Sequence, residues 1–144
     1  MPETGVRISV IYTDEHLIEL RVAASNGTFA GQADVYEDTE APAEFARALR
    51  GFPASQSDTR EFELGDLDPA NAGGGAGFRF RCVDSVGHSV AEVRLRSDSL
   101  WGGGLSDTAV LNIRVEAAAV DAFVEQLAAM PSAVGHAAFL EGAV

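Results

Sequence analysis

Apolar and polar residues alternate along the first quarter of the chain, which is the pattern expected for β-strands that are buried on one face. Residues 6–12 and 18–22 both show this period of two, and the charged residues 14–16 separate them. We expect the two segments to form a hairpin, because one register keeps every apolar side chain on the same side of the sheet. That register pairs Ile8 with Val22, Val10 with Leu20 and Tyr12 with Ile18.

Asn26-Gly27 predicts a second hairpin, because both residues tolerate the positive φ angles of a two-residue type I′ turn. Pairing across this turn sets Val22 opposite Gly31, Leu20 opposite Ala33 and Ile18 opposite Val35. The same register places Glu19 opposite Asp34 on the exposed face. The first three strands are therefore predicted to form a meander.

Helical spacing of apolar residues replaces alternation in two later segments. The first helix is predicted to begin at Ala41-Pro42 and to end before Gly51 and Pro53. The second helix precedes Pro131, and its apolar positions are Val120, Phe123, Val124, Leu127 and Met130. Because each helix has one apolar side, we expect both to cover the apolar face of a sheet.

Strand patterns recur at four further segments, which are residues 61–64, 78–82, 92–95 and 111–115. Residues 66–76, between the first two of these segments, are predicted to form a loop. A turn at Val86-Gly87 is predicted to join two of these strands. Its register pairs Phe78 with Leu95, Phe80 with Val93 and Arg81 with Glu92.

The order of elements is then βββαββββα. We predict an α+β fold with a largely antiparallel sheet of about six to seven strands and two helices packed on one face. The opposite face is predicted to be exposed and charged. It would present Glu19, Arg21, Gln32, Asp34, Glu61, Glu63, Arg79, Arg81, Glu92, Arg94, Arg96 and Arg114.

The length of 144 residues and the hydrophobic fraction of 47% fit a single domain with its own core. We expect residues 1–144 to form this domain, with a compact core over about residues 6–130 and a flexible C-terminal tail over 132–144. The single cysteine cannot form an internal disulfide, and the first residues lack the features of a secretory signal. We therefore expect a cytoplasmic protein without a membrane span.

Acidic residues outnumber basic residues by 22 to 10, and the net charge is −12. All ten basic residues are arginine. This charge repels nucleic acid and anionic lipid and attracts basic proteins. We expect a basic protein partner, and neither a nucleic acid nor a membrane.

The acidic residues are concentrated in residues 34–44, where no basic residue intervenes. Acids favour a helix N-terminus, which accounts for Glu40 and Glu44. Glu19 opposite Asp34, in contrast, brings like charges together unless a cation from outside the chain compensates. The segment is therefore either a solvated face or a partner-binding surface. The candidate partner-binding residues are Glu19, Asp34, Glu37, Asp38, Glu40, Glu44 and Trp101.

Trp101 is the only tryptophan, and it lies in a glycine-rich segment. In such a segment a large ring is either a lid over the sheet edge or an exposed anchor for a partner.

Residue types that could carry catalysis are present, but they are not grouped in a pattern that supports it. His16, His88 and His136 are far apart in sequence, and a metal site needs three or four ligands at matching spacing. Cys82 is in phase with inward residues, which predicts a small buried hydrophobe.

Asp66 with Asp68, and Asp84 with His88, are the compact candidates for hydrolysis or a metal. Turn chemistry explains Asp68, directly before Pro69, and Asp84, at a hairpin entry, better. The glycines of residues 73–77 are not followed by the Lys-Ser/Thr of a phosphate loop. We expect a protein that is not an enzyme and that holds no cofactor or metal.

Several short sequence motifs occur along the chain, in the same order as the predicted strands and helices. They are Phe29-x-Gly31 in the third strand, Tyr36 before an acidic turn, Leu49-Arg50-Gly51-Phe52, Asp84-x-x-Gly87-His88, and Val115-Glu116 leading into Phe123-x-x-Gln126-Leu127. Over about residues 6–130 this arrangement resembles WapI-type immunity proteins and related actinobacterial families of unknown function. The resemblance implies a cytoplasmic protein that binds and blocks a cognate polymorphic toxin, which in the named group is a nuclease. It transfers no functional residue.

Charge and resemblance favour the same function, because nucleases carry basic surfaces for phosphate that an acidic inhibitor can cover. We therefore expect an acidic inhibitor, an immunity protein that neutralises a basic toxin by surface occlusion. The alternative is a small-ligand or regulatory binding module, whose ligand would occupy an apolar pocket between sheet and helices.

Overall fold

A computed structural model of the protein describes residues 3–98 and 105–143. Within these residues the chain forms eight strands and two helices. In chain order they are β1 (Gly5–Thr13), β2 (Ile18–Ser25), β3 (Ala30–Glu37), α1 (Ala41–Leu49), β4 (Thr59–Gly65), β5 (Gly75–Cys82), β6 (Ser89–Arg96), β7 (Thr108–Val115), α2 (Ala117–Ala129) and β8 (Ala137–Glu141).

The strands form two antiparallel sheets of four strands each. Sheet A has the order β3-β2-β1-β8, and sheet B has the order β4-β5-β6-β7. The predicted α+β fold is confirmed, and so are both helices, which coincide with the segments of helical spacing. The strand count is slightly higher than the predicted six to seven, and the strands are divided between two sheets.

The two sheets share one local topology, in which an edge strand lies beside the first strand of a three-stranded meander that leads into a helix. In sheet B, β4 pairs with β5, and the meander β5-β6-β7 leads into α2. In sheet A, β8 occupies the equivalent edge position beside β1, and the meander β1-β2-β3 leads into α1. The molecule therefore consists of two equivalent halves, and the edge strand of the first half comes last in the sequence.

One core joins the inner faces of both sheets to the apolar sides of both helices. Phe45 of α1 lies at its centre, with ring centroids 4.7 to 6.4 Å from those of four other phenylalanines. These are Phe62, Phe78, Phe80 and Phe123. Aromatic rings in tilted and edge-on contact fill space efficiently, so the region between sheets and helices is packed with side chains.

The predicted flexible tail over 132–144 is wrong, because it contains strand β8. This strand pairs with β1 from Gly5 opposite Glu141 to Ser9 opposite Ala137. Ala138 and Leu140 are fully buried in the core. The strand was missed because it is short and has only two inward side chains, one of them an alanine.

The hairpin of β1 and β2 follows the predicted register only as far as Val10. Ile8 pairs with Val22 and Val10 with Leu20, as predicted. The register then shifts, and Tyr12 pairs with Glu19 instead of Ile18. The extra residue, Ile11, makes this irregularity a β-bulge.

The register of β2 with β3 also differs from the prediction. Leu20 pairs with Val35, not with Ala33, because the turn contains four residues instead of two. The side chain of Asn26 determines this turn, since its Oδ1 accepts hydrogen bonds from the N–H groups of Thr28 at 2.9 Å and Phe29 at 2.8 Å. The hairpin of β5 and β6 is shifted by two residues in the opposite sense, with Phe78 opposite Val93, Phe80 opposite Ala91 and Arg79 opposite Glu92.

Candidate functional site

Glu19 lies at the centre of a row of three side chains that crosses the outer face of sheet A. Tyr12 on β1 and Tyr36 on β3 are its cross-strand neighbours. Both tyrosines are large exposed residues, with 48% of Tyr12 and 52% of Tyr36 accessible to solvent. Directly opposed residues have Cβ atoms about 5 Å apart. A carboxylate therefore stands between two aromatic rings, and we call these three residues the Tyr–Glu–Tyr row.

The bulge at Ile11 is the reason that Tyr12 belongs to this row. Val10 points into the core opposite Leu20, and strict alternation would turn Tyr12 inward as well. The extra residue moves Tyr12 opposite Glu19, which lies on the outer face. A β-bulge inserts one extra residue into a strand and so changes the face of the sheet to which the next side chain points. Here the bulge exposes an aromatic ring that alternation alone would bury.

The surroundings of both tyrosine hydroxyls are negative. The Tyr12 hydroxyl donates a hydrogen bond to Asp14 Oδ2 at 3.1 Å, and this bond raises the pKa of Tyr12. The charge of Glu19 is the main cause of the raised pKa of Tyr36, and the charges of Asp98 and Asp34 add to it. Both phenols therefore stay neutral near pH 7, and the negative charge of the row comes from carboxylates.

Asp34 does not lie opposite Glu19, so the predicted like-charge pair is absent. Its partner on β2 is Arg21. Arg21 donates from Nε to Asp34 Oδ1 at 2.9 Å and from Nη2 to Oδ2 at 3.1 Å. The prediction was wrong because the four-residue turn at Asn26 moves β3 along β2. One of the predicted partner-binding acids is therefore neutralised within the chain.

Glu37 and Asp38 form part of the junction between β3 and α1. Glu37 is half-buried, and its Oε2 accepts a hydrogen bond from the Gly65 N–H at 2.7 Å. Burial is the main cause of the raised pKa of Glu37. Asp38 Oδ1 accepts from the Glu40 N–H at 2.9 Å, which shapes the turn before the helix. These two acids therefore stabilise local structure as well as adding negative charge.

Glu40 and Glu44 are exposed at the start of α1, where negative charge favours the helix. Neither side chain forms a hydrogen bond that caps the helix. The charge of Glu44 contributes to the raised pKa of Glu37, so this acid lies near the end of β3. Trp101, the remaining candidate, lies outside the residues that the structure describes.

Arg96 was predicted to be exposed, and it is 1% accessible instead. Its guanidinium binds Asp66 O from Nε at 3.1 Å and from Nη2 at 2.7 Å. Nη2 also donates to Gly73 O at 2.6 Å, and Nη1 donates to Ser97 O at 3.0 Å and Ser106 Oγ at 3.2 Å. The prediction failed because residues 66–74 fold back over this end of sheet B and enclose a side chain that alternation turns outward.

The loop held by Arg96 reaches the Tyr–Glu–Tyr row. Asp98 Oδ1 accepts a hydrogen bond from the Gly73 N–H at 3.0 Å. Gly73 has a φ of +84°, and a Cβ at this position would lie 3.2 Å from Cδ2 of Tyr36. Close packing against Tyr36 therefore requires glycine here. The sequence offered one signal for this contact, which was the run of glycines from residue 73.

The same loop contributes two further acids. Asp66 accepts hydrogen bonds from the Asp68 N–H at 2.8 Å and from Asn71 Nδ2 at 2.6 Å. The bond from the Asp68 N–H is the main cause of the lowered pKa of Asp66. Asp66 is therefore ionised over the whole neutral range, and Asp68 is exposed beside it.

These segments bring many carboxylates to one end of the molecule, which we call the acidic end. Its members are Asp14, Glu19, Asp34, Glu37, Asp38, Glu40, Glu44, Asp66, Asp68 and Asp98. Two guanidinium groups among the described residues are engaged here, Arg21 on Asp34 and Arg96 beneath the loop, while the exposed Arg47 lies one turn after Glu44 on α1. A separate group of arginines lies on sheet B and consists of Arg79, Arg81, Arg94 and Arg114.

Cys82 and the pair Asp84 and His88 lie near the turn between β5 and β6. Cys82 is half-buried and packs against the core, with Sγ 3.8 Å from Ser89 Oγ. Asp84 Oδ1 accepts from the N–H groups of Val86 at 2.9 Å and His88 at 3.2 Å, and its other oxygen contacts His88 Nδ1. These bonds are the turn chemistry that the sequence predicted.

Across residues 3–98 and 105–143, no three His, Cys, Asp or Glu side chains are grouped so as to hold a metal ion. In the same part of the chain, neither helix has the length and apolar character needed to cross a membrane. A groove of about 540 Å³ lies open on the outer face of sheet A, lined by residues that include Arg7, Ala23, Gln32 and Phe139.

The arrangement at the acidic end is suited to binding, because it combines exposed carboxylates with exposed aromatic rings. Carboxylates attract and orient a cationic surface, and tyrosines supply rigid contact area with a hydroxyl at the tip. Comparison with protein-family models, with curated proteins and with solved structures found no match for this chain.

Proposed function

We propose that this protein binds a basic protein through the acidic end and works by occlusion, without making or breaking a bond. The observation that carries this proposal is the Tyr–Glu–Tyr row, an exposed aromatic pair set among carboxylates. Tyrosine is enriched where proteins bind one another, and it is frequent among the residues that dominate binding energy.

The two tyrosines support a binding surface over an acidic face that serves only solubility. A solvated face needs charge, and exposed aromatic rings do not improve its solubility. Tyr12 is nevertheless turned outward by a bulge and remains 48% accessible. Tyr36 is exposed as well, although Gly73 packs closely against it. An ordered ring beside a carboxylate is what a partner-binding surface requires.

The separation of charge supports a basic partner in particular. The carboxylates of the acidic end produce a negative potential at one end of a molecule whose net charge is already −12. Such a field accelerates association with a basic surface and orients the partner before contact.

Within this class we propose an immunity protein that covers the active surface of a nuclease-like toxin. A nuclease recognises phosphate with basic residues, so a surface of carboxylates competes for the same groups. The resemblance to WapI-type immunity proteins supports the same function. The protein would act in the cytoplasm, where such a toxin meets nucleic acid.

The alternative function, small-ligand binding, depends on an apolar pocket between the sheets and the helices. Phe45 and its four aromatic neighbours occupy that region. The packing therefore supports a function at the surface.

The test is to search beside the gene of this protein for one that encodes a toxin domain, to produce that domain, and to measure its inhibition by the purified chain. We expect a one-to-one complex, loss of toxin activity, and an association rate that falls as salt is added. A toxin that stays fully active in the presence of excess protein would contradict the proposal.

Variants that remove negative charge test whether the acidic end is the binding surface. The first carries Glu19→Gln, Glu40→Gln and Glu44→Gln, three exposed or half-exposed acids with no structural hydrogen bond from the side chain to the backbone. The matched control carries Glu116→Gln, Asp121→Asn and Glu141→Gln, which lie elsewhere and are exposed. We expect the first set to slow association about tenfold and the control to have a much smaller effect. Equal effects would show that net charge alone matters.

A further inference from the structure

The Tyr–Glu–Tyr row has the composition of a binding slot for one cationic side chain. Glu19 offers a carboxylate, and the exposed tyrosines Tyr12 and Tyr36 are its cross-strand neighbours on either side. We propose that an arginine of the basic partner enters between the two tyrosines and pairs with Glu19. This inference rests on the proposed function and names the group that the acidic end recognises.

Arginine fits this slot better than lysine because of its shape. The guanidinium group is planar, stacks on aromatic faces, and donates two parallel hydrogen bonds to one carboxylate. A lysine ammonium is a strongly hydrated point charge that cannot stack. A cation over an aromatic face is attracted by the ring quadrupole, and more strongly the further it is desolvated.

The dimensions of the sheet allow such an insertion. Tyr12 and Tyr36 lie on strands separated by β2, and two strand spacings amount to about 9.5 Å. A planar group in contact with a ring on each side needs about 7 Å between the ring planes. Glu19 lies on the strand between them, directly opposite both tyrosines.

The slot has no cation of its own within the part of the chain that the structure describes. Glu19 forms no ion pair there. The nearest guanidinium that acts on it belongs to Arg21, and Arg21 is held by two hydrogen bonds to Asp34 at 2.9 and 3.1 Å. Arg21 therefore acts on Glu19 through its charge, while its hydrogen bonds go to Asp34 and form no salt bridge with Glu19.

Both tyrosines are held in place before any partner arrives. The Tyr12 hydroxyl binds Asp14 at 3.1 Å. Tyr36 packs against Gly73, whose N–H is held by Asp98 and whose carbonyl is held by the buried Arg96. A site ordered in advance loses less conformational entropy on binding.

The chain contains two tyrosines in total, and both belong to the slot, so their signals report on it alone. The experiment labels tyrosine with ¹³C and follows both ring resonances by NMR during titration with a capped tetra-arginine peptide. We expect both resonances to shift with a common saturation curve. A tetra-lysine peptide at the same ionic strength should bind at least threefold more weakly and shift them less.

Variants then test each part of the slot, with their folding checked by circular dichroism. Glu19→Gln should weaken tetra-arginine binding at least fivefold, and Tyr36→Ala should weaken it and abolish the preference for arginine over lysine. The matched controls are Glu116→Gln, an exposed acid elsewhere, and Phe29→Ala, an aromatic residue that is 66% accessible. Both controls should bind as the unmodified chain does.

Two results would contradict the proposed arginine-binding slot, and they have different consequences for the proposed function. If calorimetry detects tetra-arginine binding while the tyrosine resonances stay fixed and Glu19→Gln has no effect, the slot is wrong and the acidic end still attracts cations elsewhere. If tetra-arginine does not bind even at low ionic strength, the slot is wrong, and the toxin assay decides the proposed function independently.

Discussion

Arg21 and Asp34 face each other across β2 and β3, and both oxygens of the Asp34 carboxylate accept hydrogen bonds from one guanidinium group. This bidentate geometry fixes the position of Arg21 more firmly than a single contact does. It also removes one negative charge from the acidic end. The pair therefore controls how much cation attraction remains for Glu19, which lies two residues before Arg21 on the same face of β2.

Replacing Arg21 by glutamine should therefore strengthen the attraction of the acidic end for cations. We expect about a twofold faster association with a basic partner, because Asp34 becomes an unpaired charge. The free energy of unfolding should change little, since partly exposed ion pairs contribute little to stability. Stopped-flow association at two salt concentrations and urea unfolding measure the two quantities. Slower association would mean that Arg21 itself contacts the partner.

Replacing Arg96 by methionine should destabilise the protein strongly. The buried carbonyl groups of Asp66 and Gly73 would lose their donors, and each unsatisfied group costs about 1 to 3 kcal/mol. We expect a total loss of about 3 kcal/mol or more in urea unfolding, together with a shift of the Tyr36 resonance as the loop moves. The exposed Arg114→Met is the control, and it should change stability by less than about 0.5 kcal/mol.

Replacing Leu140 by alanine tests whether β8 is an integral strand. Leu140 is fully buried, so we expect a loss of about 3 kcal/mol from the lost burial and the cavity left behind. Val134→Ala, in the segment before β8, alters a side chain that is 64% accessible and should cost less than about 0.5 kcal/mol. Similar, small effects of both substitutions in thermal unfolding would indicate that residues 137–141 are not docked.

Replacing Glu37 by glutamine should stabilise the protein at neutral pH. Burial, together with the charges of Asp38 and Glu44, raises the pKa of Glu37 above its ordinary value of 4.5. The folded state then binds the proton more tightly than the unfolded state, so ionisation of Glu37 lowers stability as the pH rises through this range. Glutamine keeps an oxygen for the Gly65 N–H and removes the charge.

The gain from Glu37→Gln should therefore be present at pH 7 and should disappear as the pH falls below about 4.5. Urea unfolding at several pH values measures it, with the exposed Glu63→Gln as the control. A loss of stability at pH 7 would show that the hydrogen bond of Glu37 to Gly65 requires the carboxylate.

The alternation of apolar residues identified which side of each early strand is buried, but it did not fix the registers. A shift of two residues leaves every side chain on its own face, so Leu20 is equally well placed opposite Ala33 or Val35. The choice depends on turn geometry, and here the Asn26 side chain supports a four-residue turn. Periodicity contains no information about such a bond.

The acidic character of the site could be read from the sequence, and its organisation could not. Tyr12 is in phase with Val10, so only the bulge reveals that it is exposed. Arg96 alternates as an outward residue, and its burial depends on a loop that returns from about 30 positions earlier in the sequence. The bulge is a change of pairing within one hairpin, and the burial of Arg96 is a contact between distant segments; the alternation of apolar residues encodes neither.

The position of β8 has a consequence for synthesis in the cell. Ile8 pairs on one side with Val22 and on the other with Ala138, about 130 positions later. A nascent chain on the ribosome can therefore form the first meander early, but the outer edge of β1 stays open until β8 leaves the exit tunnel. Closure of such a long loop slows folding. An exposed strand edge invites pairing with other chains in the meantime, so chaperone binding during translation would protect the unfinished half.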